Sequence, residues 1–216
     1  LKLGSGKELS EAEKMQRERQ RIGDLKGIVS YDWTADSKAI LVPLDGDLFL
    51  ASLDGTVRQL TQSQEDELNP ALSPKGSYVS FVRDRRLWAG RVGEAPQPVS
   101  PPESADTVHW GEAEFVAQEE MARFTGYWWS PDDRRIAVQR FDDAPVGIVT
   151  RTAIGAESTK TFQQRYPVAG SPNSLVSLFV LSPDGQSRVE VDLGPDRDIY
   201  LARVNWSPDG KVLYVQ

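Results

Sequence analysis

The feature that most constrains this chain is a turn phrase that recurs four times. It reads Trp33-Thr34-Ala35-Asp36, Leu72-Ser73-Pro74-Lys75-Gly76, Trp129-Ser130-Pro131-Asp132 and Trp206-Ser207-Pro208-Asp209-Gly210. Each copy closes a short apolar segment with a bulky residue and then turns. A β-branched or aromatic run follows, as in Tyr78 to Val82, Ile136 to Phe141 and Val212 to Val215. Proline presets φ for such a turn, Ser and Asp bond back to their own backbone, and Gly accepts positive φ. The copies start at 33, 72, 129 and 206, so the intervals are 39, 57 and 77 residues. The first fits a propeller blade of roughly 40–50 residues, and the longer two require insertions. A β-sandwich has similar strands but does not ordinarily repeat one turn phrase. The expected fold is therefore mainly β: a partial β-propeller of about four blades, each an antiparallel four-stranded sheet.

The first blade reads directly. Ile28 to Trp33, Ala39 to Val42, Asp47 to Ala51 and Thr56 to Leu60 are strand-like, with turn pairs at Asp45-Gly46 and Asp54-Gly55. Ahead of it, Ser10 and Glu13 form an S-x-x-E capping box, which predicts a helix over 10–22. Glu13 to Arg17 and Lys14 to Glu18 are four-residue charge pairs. Leu9, Ala12, Met15 and Ile22 make only a thin apolar stripe, so the helix is expected on a surface or rim. The division expected is a flexible lead-in over 1–9, the helix over 10–22 and the partial propeller over 23–216. The last blade stops after Gln216, which leaves strand edges open; self-association or another protein is expected to cover them.

Composition removes several function classes. A net charge of −7 opposes a phosphate-binding surface, so nucleic acid is not an expected partner. With no cysteine there is no disulfide, thiol nucleophile or Cys-ligated zinc. No apolar run approaches the roughly 18 residues of a membrane span. Gly4-Ser5-Gly6-Lys7 lacks the spacing and the following Ser or Thr of a phosphate loop. Asp142-Asp143 and Asp192, Asp196 and Asp198 lack the alternation of a calcium loop. No metal or cofactor is expected. There is no G-x-S-x-G elbow, and the single histidine, His109, precedes Trp110 rather than following a serine. By itself this chain is not expected to hydrolyse peptides.

The chemistry-bearing stretch lies before the third turn phrase. Residues 112–123 favour helix and carry adjacent carboxylates, Glu119 and Glu120. Neighbours on a helix diverge by about 100°, yet two acids can converge on one cation from either side. An ammonium suits them, because it offers three donors and its charge relieves their repulsion. On composition alone the pair reads as a solvated helix surface.

The run Glu119-Glu120-Met121-Ala122-Arg123-Phe124-Thr125-Gly126-Tyr127-Trp128-Trp129-Ser130-Pro131 closely resembles the Glu-Glu motif of the dipeptidyl peptidase IV branch of the prolyl oligopeptidase family. Gln20-Arg21-Ile22, Gly27 to Trp33 and Arg165-Tyr166-Pro167-Val168-Ala169-Gly170-Ser171-Pro172-Asn173 resemble the same branch, over roughly residues 10–216. The resemblance implies an eight-bladed propeller joined to an α/β-hydrolase domain in the parent chain, and release of X-Pro or X-Ala dipeptides from peptide N-termini. It implies that Glu119 and Glu120 bind the substrate's α-ammonium. It also implies a propeller arginine on the substrate's carbonyl oxygens, for which Arg83, Arg85, Arg86 and Arg123 show no matching motif; Arg123 is expected only to brace the helix. A periplasmic location follows by resemblance, with the cytoplasm as the alternative. The competing reading is a non-catalytic propeller scaffold or protein-binding module.

Overall fold

The computed structural model describes residue 6 and residues 8–216. Most of the 1–9 lead-in, and with it most of the Gly4-Ser5-Gly6-Lys7 run, lies outside the described residues. The rest is a partial β-propeller of successive antiparallel sheets. The first blade is β1 (Asp32–Trp33), β2 (Ala39–Leu44), β3 (Asp47–Ser52) and β4 (Val57–Gln59), paired in that order. The second is β5 (Leu68–Leu72), β6 (Tyr78–Arg83), β7 (Arg86–Arg91) and β8 (Gln97–Pro98). After β9 (Val108–Trp110) and helix α2 (Phe115–Glu120), the third blade begins with β10 (Tyr127–Trp129) and β11 (Ile136–Asp142). A hairpin of β12 (Ile148–Ile154) and β13 (Thr159–Arg165) then leaves the sheet as an arm whose residues are mostly exposed. The blade is completed by β14 (Leu175–Leu181) and β15 (Arg188–Val191), and β9 pairs with the far end of β11. The fourth blade is represented by β16 (Val204–Trp206) and β17 (Leu213–Val215). The insertions inferred from the long repeat intervals are thus α2 with its flanks and the β12–β13 arm.

Apolar side chains from facing sheets hold neighbouring blades together. Leu41 and Leu48 of the first blade meet Leu72, Val79 and Phe81 of the second. Val82 and Leu87 meet Trp110, Ile136, Val138 and Leu181 between the second and third. Ala137, Phe141, Val176 and Leu178 meet Leu201 and Val204 between the third and fourth. Because both faces of β11 are covered, its first four residues are all buried instead of alternating. The first strand is shorter than the 28–33 run suggests. Ile28, Tyr31 and Trp33 are exposed, so no packing extends the pairing beyond Asp32 and Trp33.

Helix α1 spans Glu11–Arg19, three residues short of the predicted end. Ser10 caps it, its hydroxyl accepting from the Glu13 N–H. At the other end Arg21 turns left-handed at φ 60°; its N–H donates to Glu18 O and that of Ile22 donates to Arg17 O. This is a Schellman termination with arginine where glycine is usual. Glu13 pairs with Arg17 at 2.6 Å as the spacing predicts. Lys14 instead reaches Glu8 and Glu11, at 2.9 and 3.0 Å, which places an acid N-terminal to the base, the favoured order on a helix. The helix docks on β5 and the loop before it, where the Ser10 N–H donates to Asp66 in the loop and Gln16 donates to Asn69 in the strand.

Candidate functional site

The helical insert is a closed excursion between β9 and β10. Its two ends are zipped together: Glu112 bridges Thr125, the Ala113 N–H donates to Phe124 O, and the Gly126 N–H donates to Gly111 O. The ends approach so closely that a Cβ on Gly126 would lie 2.1 Å from Glu112 O. That zipper explains why α2 has six residues rather than the twelve that favour helix in the sequence. Glu114 caps α2 by accepting from the Ala117 N–H, and its other oxygen accepts from Gln139 at 3.1 Å and Arg123 at 3.4 Å. Ala122 then turns left-handed at φ 50° and ends the helix.

Arg123 braces this turn. Its guanidinium is buried and donates to Thr125 O at 2.9 Å and Leu201 O at 2.7 Å, which ties the insert to the fourth blade. Burial draws its pKa below the usual arginine value, and Glu114 opposes that shift. Arg203 adds a bond to Met121 O.

Glu119 and Glu120 sit at the C-terminal end of α2, both exposed. Glu119 Oε1 lies 3.5 Å from Arg19 Nε, at the last position of α1. Arg19 is largely buried, its side chain 17% exposed against 38% for Glu119. Burial lowers its pKa, while Glu119, Asp143, Glu18 and Glu112 pull in the opposite direction. The Arg19 Nη1 also donates to Gln118 Oε1 at 2.6 Å. Among the described residues Glu120 forms no ion pair. Glu119, Glu120 and Arg19 taken alone thus carry one negative charge in excess, and Glu18, Glu112 and Asp143 add to the acidity around the guanidinium. Such a group can take up one further cation.

Arg19 was not among the arginines singled out in the sequence. Arg83, Arg85, Arg86 and Arg123 lie inside the propeller, whereas Arg19 lies on the preceding helix. Its signal is the neighbouring Gln20-Arg21-Ile22 run and an acid pair lacking a counter-ion. The other arginines are engaged elsewhere: Arg83 pairs with buried Glu67, and Arg86 donates to Ser100 O. His109 stacks on Phe141, with ring centroids 4.7 Å apart, and its Nδ1 lies 3.2 Å from Glu112. It lines a cavity of about 340 Å³ together with Arg19, Phe115, Gln118 and Asp143. Burial raises the Asp143 pKa, and the Ser174 hydroxyl opposes that by donating to it. A wider groove of about 660 Å³ follows the inner strands, walled by Pro70, Phe124, Tyr127, Trp128 and Trp206.

Comparison with known proteins agrees with this architecture. The family model for the dipeptidyl peptidase IV (DPP IV) N-terminal region matches residues 28–216. The chain is 26% identical to dipeptidyl peptidase 8 of Homo sapiens over 94% of its own length and 27% of that protein. It is 28% identical to a probable dipeptidyl-aminopeptidase B of Aspergillus oryzae over 65% of its length and 17% of that protein. The crystal structure of Porphyromonas gingivalis dipeptidyl peptidase 4 superposes with a TM-score of 0.74 at 24% identity, covering 92% of this chain and 30% of that one. The chain therefore spans less than a third of each of these relatives. No helix among the described residues is long and apolar enough to cross a membrane. Blades, insert and matched residues together lead to one conclusion: this chain belongs to the family of dipeptidyl peptidase IV N-terminal regions.

Proposed function

We propose that this chain is the substrate-recognition part of a prolyl dipeptidyl peptidase, in which Glu119 and Glu120 dock the α-ammonium of a peptide. Arg19 neutralises part of the acid pair and turns its remaining N–H groups toward the peptide's carbonyl oxygens. The observation that supports this reading is the convergence of α1 and α2: a largely buried arginine reaches an otherwise solvated Glu pair across about one hundred residues of sequence. Docking the terminus fixes how far the chain reaches beyond it. That distance sets which carbonyl arrives at a serine nucleophile in the parent's α/β-hydrolase domain, and so makes the enzyme an exopeptidase.

The test is carried out in the longer polypeptide that carries this region. Glu119→Ala or Glu120→Ala should each lower kcat/KM for an X-Pro substrate by about 10²–10³-fold, because a desolvated ammonium loses a charged partner worth roughly 2–5 kcal/mol. Dipeptide release at the wild-type rate in either variant would refute the docking role and leave the scaffold reading standing.

A further inference from the structure

The surroundings of Arg19 go beyond one ion pair. Its Nη1 donates to Gln118 Oε1 at 2.6 Å, and its guanidinium lies over the Phe115 ring, 5.0 Å from the centroid. Gln118 is itself held, because its Nε2 donates to Ala113 O at 2.6 Å. Phe115 meets Tyr166 edge-on, with centroids 4.9 Å apart and planes at 63°. Tyr166 stands at the root of the β12–β13 arm, its N–H donating to Gly147 O. One flank of the guanidinium is therefore set by an amide and one face by an aromatic ring, while Glu119 Oε1 lies 3.5 Å from Nε. A glutamine suits the first task, since one side chain accepts from the cation and donates to a carbonyl. An arginine left free in solvent would lose rotamer freedom on meeting a peptide; one already held loses less.

We propose that Gln118 and Phe115 are positioning residues, which hold Arg19 against Glu119 so that its unused N–H groups face the docked peptide. The proposal rests on the docking role above, but its first readout does not require a peptide. In side-chain ¹H–¹⁵N spectra of this chain, the Arg19 Nε–H signal, identified by its loss in Arg19→Lys, should be resolved from the bulk arginine envelope. Gln118→Met and Phe115→Leu should each return it to the bulk position while the blade amides stay in place. Gln118→Glu should retain it in part, because a carboxylate still accepts from the guanidinium but no longer donates to Ala113 O. The second readout is affinity for the dipeptide amide Ile-Pro-NH₂. Gln118→Met should weaken it about tenfold, the size expected when one charge-assisted contact is lost, with partial rescue in Gln118→Glu. An Arg19 signal already in the bulk envelope of the wild type, or one unmoved in both Gln118→Met and Phe115→Leu, overturns the positioning role. If Glu119→Ala and Glu120→Ala leave peptide affinity unchanged, docking fails, and the Arg19 signal still decides positioning.

Discussion

In three of the four turn phrases the hydroxyl donates to the acid two positions on: Thr34 to Asp36 at 2.8 Å, Ser130 to Asp132 at 2.6 Å and Ser207 to Asp209 at 2.7 Å. The hydroxyl oxygen in turn accepts from the strand amide five residues on, as from Ala39, Arg135 and Val212. The second copy has Lys75 where the acid belongs. There Asp133 of the third blade takes over: it accepts from the Ser73 hydroxyl at 2.7 Å and from the N–H groups of Lys75 and Ser77 at 3.0 and 3.3 Å. Asp133 is only 6% exposed and holds a left-handed φ of 63° to make these bonds. Asp133→Ala leaves the buried Ser73 hydroxyl and two less buried N–H groups unmatched and should cost about 1–3 kcal/mol. Urea unfolding checks this: the midpoint should fall with an unchanged slope, and a loss below about 0.5 kcal/mol would contradict it. The phrase itself is legible in the sequence because its bonds are local. The substitution by Asp133 is not, since that partner stands some sixty residues away and becomes visible only when blades stack.

Gly126 decides whether the insert can close. Alanine there would drive its Cβ into the Glu112 carbonyl, a backbone atom that cannot swing aside, and the zipper holding α2 would open. Gly126→Ala should cost several kcal/mol, about the scale of a forced core clash. Hydrogen exchange should show fast amides over residues 112–126; wild-type protection there would contradict the zipper. The start of α1 follows from the sequence because Ser10 and Glu13 are a local signal. Its end does not, because Arg21 occupies a left-handed position that glycine usually marks. The twelve-residue helical preference of 112–123 likewise yields to tertiary pairing at both ends, which halves the helix.

For the whole molecule, blade order and inter-blade packing follow from repeated local units, so the propeller is readable from four turns and their spacing. The site is only half readable. Glu119 and Glu120 stand side by side in one motif, whereas Arg19 meets Glu119 only after α1 has docked across the second blade and the insert. The first and fourth blades leave aromatic side chains exposed, Tyr31 and Trp33 at one end of the arc and Tyr200 and Tyr214 at the other. In the docking role proposed above, the excess negative charge at the junction of α1 and α2 would select a protonated amine. The most direct measurement is the affinity of this chain for Ile-Pro-NH₂ as a function of pH, beside its N-acetylated form. A free α-amine has a pKa of about 8, so from neutral pH, where the acids are ionised, binding should fall as pH rises through that value, and it should be absent for the acetylated peptide at every pH. Equal binding of the two peptides, or a flat pH profile for the free amine, would contradict the claim.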